Sequence, residues 1–224
     1  MLIKNLIIVL IYRIIIVGFA GLGLAYSIGM QYGRFAVRKF VYYTQISNLL
    51  CCIFFIAAAV YTVKQIKRHG IKANATLWPR IKLGMTIMIS MTFLAYFFIL
   101  APRITNPNYS PYTVSNLFLH YIVPIMVMAD WFLFDNKTTY RKYDPFLWLI
   151  GPLVYLLFIL IRAHVLYNLN MAGNHYPYFF INIKLLETRH FILYIGGFAL
   201  FCVVLGYIFL FIAKLMRKKN RISS

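Results

Sequence analysis

The chain has 224 residues, 62% of them hydrophobic and only 12% charged, with 23 Lys and Arg against 4 Asp and Glu for a net charge of +19. So few charges cannot cover a soluble domain of this length, which excludes a water-soluble globule and points to a membrane protein. The basic residues fall between apolar runs rather than along one face, a pattern suited to anionic lipid headgroups and not to nucleic acid.

Six apolar runs are long enough to span a bilayer, roughly residues 6–28, 40–63, 83–101, 114–134, 145–161 and 191–213. The predicted fold is an all-α six-transmembrane-helix bundle, a single domain over residues 1–224. The first run is too long for a signal peptide, is interrupted by Arg13 and lacks a small-x-small cleavage site, so it reads as a permanent helix. It carries Gly18, Gly21, Gly23 and Gly29, small residues that let neighbouring helices approach. The second run opens FVYYTQISNLLCC and places Thr44, Ser47, Asn48 and Cys51 on one stripe. The third carries Thr86 and Ser90 at i, i+4, and the Pro- and Asn-rich APRITNPNYSPY after it predicts irregular backbone.

The fourth run, TVSNLFLHYIVPIMVMADWFLFD from Thr113 to Asp135, carries two ionisable groups where hydrocarbon should be. His120 and Asp130 lie ~15 Å apart along the helix axis, so they cannot touch. Asn116, His120, Pro124 (or Val123), Val127 and Asp130 share one helical stripe. Polar groups in lipid cost a few kcal/mol, so this stripe should face other helices. The fifth run ends in Arg162 and His164, followed by YPYFFIN (Tyr176–Asn182) and Glu187. Cys51, Cys52 and Cys202 lie inside apolar runs with no metal spacing, and GxSxG, HExxH, P-loop and CxxC motifs are all missing. No metal or cofactor is expected.

Orientation follows from the basic residues of alternate segments. Lys4, the 64–82 loop (Lys64, Lys67, Arg68, Lys72, Arg80, Lys82), Lys137, Arg141, Lys142 and the tail (Lys214, Arg217, Lys218, Lys219, Arg221) make fifteen. The opposite segments hold six: Arg34, Arg38, Lys39, Arg103, Lys184 and Arg189. Both termini are therefore expected in the cytoplasm, the chain crossing the cell membrane several times. The segment with Arg34, Arg38 and Lys39 dissents.

In this topology Thr44 and His120 lie at matching depths of helices two and four. A threonine hydroxyl becomes a nucleophile when a base removes its proton, and neutral histidine is the usual base. The alternative is a Thr bonded to its own helix and a His filling a packing gap. Arg13 and Asp130 share the other leaflet, either as a proton or ion relay or as a structural tie between helices one and four. Arg162, near His164, Glu187 and the Tyr176 segment, either holds a carboxylate headgroup or snorkels to phosphate.

The blocks YYTQISNLL (42–50), NLFLHYIVPIMVMADWFLF (116–134), FLWLIGPLVYLLFILIR (146–162) and Arg162 with YPYFFIN (176–182) carry a resemblance. Together, over about residues 40–185, they resemble the bacterial six-pass relatives of the androgen-induced and androgen-dependent-TFPI-regulating membrane proteins. The resemblance implies a membrane threonine hydrolase of fatty acid esters of hydroxy fatty acids, the family's Thr falling on Thr44 and its His on His120. Thr44 would attack the ester carbonyl, and His120 would act as base and then as acid. Ser47 or Asn48 would orient the substrate or donate to the oxyanion, with Asn116, Arg162 and Tyr176 as further substrate support. The last block departs from the family's YPYPFLD, Phe180 standing for a Pro and Asn182 for an Asp, which removes a carboxylate. Membrane lipids and a lipid ester are the expected partners. The competing reading is a non-catalytic protein that binds or carries a lipid or small solute.

Overall fold

The computed structural model describes residues 2–104, 110–137, 140–171, 173 and 175–222, with side chains to residue 218. Its regular elements among these residues are all helical. Six helices are long and apolar enough to cross a membrane: α1 (Leu6–Ile28), α2 (Tyr43–His69), α3 (Pro79–Arg103), α4 (Val114–Phe134), α5 (Asp144–Asn168) and α6 (Thr188–Ile222). The chain is thus built as a multi-pass membrane protein.

Local chemistry sets the boundaries. Asn5 caps α1 by accepting from the Ile7 N–H at 2.9 Å. Gly29, at φ 85°, closes it in the left-handed region that glycine enters without strain, its N–H reaching the Ala25 and Tyr26 carbonyls. The helix predicted from residue 40 begins instead at Tyr43, because Val37–Val41 form a tight turn and Tyr42 is extended. It continues past residue 63 to His69, since Lys64, Gln65, Lys67 and Arg68 are good helix formers and cations suit a helix C-terminus. Pro79 at the first position starts α3 one turn earlier than predicted and takes Lys82 out of the loop and into the helix. In the loop after α3, residues 105–109 lie outside the described residues.

The chain forms two compact units, Met1–Tyr140 with Ala213–Ser224, and Arg141–Ile212. In the first, α1–α4 share a core of Ile16, Ala20, Cys51, Phe54, Phe55, Ala58, Met88, Ile89, Val123 and Val127. Lipid tails are as apolar as these side chains, so the helices are held by packing and by polar bonds between them rather than by escape from water. Gly23 lets α1 lie against α4: a Cβ there would meet Leu119 Cδ2 at 2.7 Å and Phe118 Cβ at 2.9 Å. Gly18 and Gly21, grouped with it in the sequence, have nothing within 4 Å of such a Cβ. In the second unit, Gly206 of α6 meets Pro145 of α5 in the same way, at 2.9 Å.

Candidate active site in the first unit

Thr44 sits in the first turn of α2, and Tyr42 provides no side-chain cap for that turn. The first N–H groups of a helix have no partner within it and carry the positive end of its dipole. Thr44 is buried, as are Ser47 and Asn48 on the next turn. Asn48 Nδ2 donates to the Thr44 carbonyl at 2.9 Å and to the Leu119 carbonyl of α4 at 3.0 Å. One amide nitrogen thus ties the residue before His120 to Thr44. Two carbonyl partners also fix the amide's orientation, since an oxygen could not accept from either. Asn48 therefore has no N–H left for an oxyanion, and its Oδ1 is buried without a hydrogen-bond partner among the described residues. Ser47 Oγ shares a hydrogen bond with Thr92 Oγ1 of α3 at 2.9 Å and bonds the Thr44 carbonyl at 3.1 Å.

His120 occupies a widened turn. Over Leu117–Ile122 the helix is π-type, with the Val123 N–H reaching back five residues to Phe118. A matching π turn covers Tyr96–Leu100 in α3, with the Ala101 N–H bonded to Tyr96. Each lies one turn before a proline. The ring of Pro124 would press on the carbonyl of His120, and that of Pro102 on the carbonyl of Phe98; the wider turn relieves both. Those two prolines were the sequence signal for the break in register. The two π turns bring the Tyr96 and His120 rings into a stack, 3.7 Å between centroids and 21° between planes. His120 Nδ1 is buried with no hydrogen-bond partner, so its orientation rests on Tyr96 rather than on a carboxylate. No hydrogen bond joins the Thr44 hydroxyl to His120 among the described residues.

Arg13 and Asp130 meet at the other end of the same helices, inside a larger assembly. Arg13 Nε donates to Asp130 Oδ1 at 3.2 Å, and Arg13 Nη1 to Thr62 Oγ1 at 2.7 Å and to the Ala75 carbonyl at 2.9 Å. Lys82 Nζ bonds Asp130 Oδ2 and reaches Asp135 Oδ1 at 2.5 Å. Asp135 returns to Arg13 Nη2 at 3.8 Å, closing a ring of two cations and two anions whose members are 0% exposed. Lys137 donates to the Trp131 and Asp135 carbonyls and lies 4.3 Å from the Trp131 ring, capping the C-terminus of α4. Burial pulls its ammonium down to about 8. The sequence alone pairs Arg13 with Asp130 and counts Lys82 and Lys137 as loop charges. The signal was present in α3: Lys82, Thr86 and Ser90 repeat every four residues and all three are fully buried.

The remaining residues fall elsewhere. Asn116 Nδ2 donates to the Ser110 carbonyl at 3.0 Å, which ties the start of α4 to the preceding loop. Arg162 and Tyr176 belong to the second unit, where Arg162 Nη1 donates to the His175 carbonyl at 2.8 Å and Tyr176 is buried. Asn182 Oδ1 accepts from the Lys184 N–H at 3.1 Å, a loop bond within that unit. No group of three or more His, Cys, Asp or Glu that could hold a metal occurs among the described residues. Comparison of the chain with protein-family models, with curated proteins and with solved structures found no match.

Proposed function

We propose that the chain is a membrane-embedded hydrolase of lipid esters in which Thr44 is the nucleophile and His120 its base. The observation that carries this reading is the Asn48 bridge, which joins the carbonyls of Thr44 and Leu119 and so sets the hydroxyl and the imidazole on facing helices. The resemblance of the TQISN and HYIVP blocks to the membrane threonine hydrolases supports the same two residues.

In the first half-reaction Thr44 Oγ bonds to the acyl carbon and its proton passes to His120. The ester C–O bond then breaks and His120 returns the proton to the departing alkoxide. Water, deprotonated by His120, frees the acid and restores the hydroxyl. Charge develops on the acyl oxygen beside the first turn of α2; with the Asn48 amide committed elsewhere and the Gln45 and Ile46 N–H groups bonded to the Tyr42 carbonyl at 3.0 and 3.3 Å, the Thr44 N–H is the donor placed for it. Tyr96, stacked on His120, holds the imidazole plane, which is the orienting part of what a carboxylate does in a Ser-His-Asp triad.

Orientation belongs to the same proposal. With Lys82 buried in the ring and Lys137 buried at the end of α4, thirteen basic residues of one set of segments remain against six of the other, which supports cytoplasmic termini in a cell membrane.

The test is labelling with a fluorophosphonate lipid probe, followed by turnover of a panel of fatty-acyl esters. Thr44→Ala and His120→Ala should each lower turnover on the order of 10³-fold or more, and the double variant little further. Thr44→Ser should keep part of the activity, and Tyr96→Phe should keep more than Tyr96→Leu. Wild-type hydrolysis by folded Thr44→Ala would sink the mechanism.

A further inference from the structure

The link between α1 and α2, residues 29–42, is short, basic and built rather than loose. Gly29 and Gly33 both take left-handed conformations, at φ 85° and 62°. The Arg34 N–H returns to the Gly29 carbonyl at 3.1 Å and the Ala36 N–H to the Ile28 carbonyl at 2.9 Å, folding the link back on the end of α1. This fold turns apolar side chains outward: Tyr32, Phe35 and Val37 are 76%, 65% and 61% exposed. Arg34, Arg38 and Lys39 are exposed among them.

No carboxylate side chain among the described residues pairs with those three cations. No Asp or Glu precedes Asp130 in the sequence. Asp130, Asp135 and Asp144 are buried, and Glu187 faces His190 at 3.5 Å in the other unit. None of the three cations makes an ion pair among the described residues; the nearest partner is the Tyr42 ring, 6.0 Å from Lys39 Nζ. The fourteen-residue link is tethered at both ends to membrane-crossing helices, so it must lie in the headgroup layer. Aromatic side chains favour that layer, and guanidinium groups match phosphodiester oxygens.

We propose that residues 29–42 form a binding surface for anionic phospholipid headgroups. Phe35, Val37 and Tyr32 enter the boundary of the acyl region while Arg34, Arg38 and Lys39 contact phosphate. This accounts for the one segment whose charge runs against the topology of the others, because its cations serve lipid contact rather than orientation. The proposal stands whether or not Thr44 is a nucleophile.

The experiment titrates the full-length, detergent-solubilised protein with phosphatidylglycerol, phosphatidylcholine and inorganic phosphate, reading apparent affinity by native mass spectrometry. Phosphatidylglycerol should bind more tightly than phosphatidylcholine, and its affinity should fall steeply with salt. Replacing Arg34, Arg38 and Lys39 by Gln should weaken it about fivefold per charge, on the order of 100-fold in all. The same change at Lys64, Lys67 and Arg68 should leave that difference largely intact. Equal binding of the two lipids, or an undiminished triple variant, overturns the proposal. So does inorganic phosphate competing as strongly as the anionic lipid, which would mark a site for free anions. If the triple variant does not fold, the salt dependence of the wild type decides: a flat response overturns the headgroup contact and a steep one supports it.

Discussion

At one end of α1–α4, Arg13, Lys82, Asp130 and Asp135 are bonded to one another; at the other, Asn48 Oδ1 and His120 Nδ1 are buried with no hydrogen-bond partner among the described residues. Both ends are polar, and both sit inside helices that cross a membrane. The ring also leaves Arg13 Nη2 and Asp135 Oδ2 without a hydrogen bond, but both lie among opposite charges, Arg13 Nη2 at 3.8 Å from Asp135 Oδ1 and Asp135 bonded to Lys82 through that same Oδ1. A buried polar group ordinarily finds a partner, because leaving one unmade costs about 1–3 kcal/mol. The ring follows that rule and ties four helices together. Among the described residues the Thr44–His120 end breaks it at three atoms, Gln45 Oε1 with Asn48 Oδ1 and His120 Nδ1, a pattern that fits the proposed site.

The sharpest way to break the comparison is to exchange the symptoms. Thr44→Ala should abolish turnover, on the order of 10³-fold, and leave the melting temperature nearly unchanged. Lys82→Met strands Asp130 beside Arg13 and leaves Asp135 without its near cation. It should destabilise by about 3–5 kcal/mol, read from thermal melting in detergent. Removing Arg13 and Asp130 together leaves the neutral pair Lys82–Asp135 and should recover much of the loss of either single change. Additive losses would mean that the ring does not act as a unit.

Lys137 gives a smaller, pH-dependent effect. Its ammonium ordinarily titrates at 10.5 and is held at about 8 in the fold, so above pH 8 the folded chain has lost a proton that the unfolded chain retains. Stability should therefore rise as pH climbs from about 8 to 10.5, by at most about 3 kcal/mol, and that rise should vanish in Lys137→Met. A parallel profile in the variant would remove Lys137 from the account. Smaller again is Gly23→Ala, which sets a methyl against Phe118 and Leu119 and should cost about 1 kcal/mol. Because the strain falls on the π turn of His120, turnover should fall with it. Gly18→Ala, with open space around it, should change neither.

The two ends were legible in the sequence to different degrees. Six apolar runs follow from composition, and long polar side chains in the middle of them, Arg13 and Asp130, stand out because hydrocarbon tolerates them poorly. Lys82 did not stand out, since a lysine just after a Trp-Pro-Arg turn reads as a loop charge until Pro79 is recognised as a helix start. Asp135 and Lys137 sit one turn beyond a span, where charge is ordinary. At the other end, Thr44, Asn48 and His120 were visible as polar positions in apolar runs. Their use was not: that Asn48 donates to two carbonyls depends on where α4 lies against α2. The stack of Tyr96 on His120 depends on two π turns, and only Pro102 and Pro124 foretell them.

Arg13 has a consequence for how the chain is made. Its partner Asp130 is 117 residues further along. At ~5–20 residues per second, a ribosome needs roughly 6–23 s to supply that distance. For that interval α1 carries an unneutralised guanidinium, a burden of about 2.5–3.5 kcal/mol at the centre of a bilayer, offset by the isoleucines and leucines around it. The helix made first is thus the one that must wait, resting shallowly or in the insertion machinery until the third and fourth arrive. Chains halted at residue 110 should release α1 to alkaline extraction more readily than chains halted at 140, and equal retention would show that α1 settles by itself.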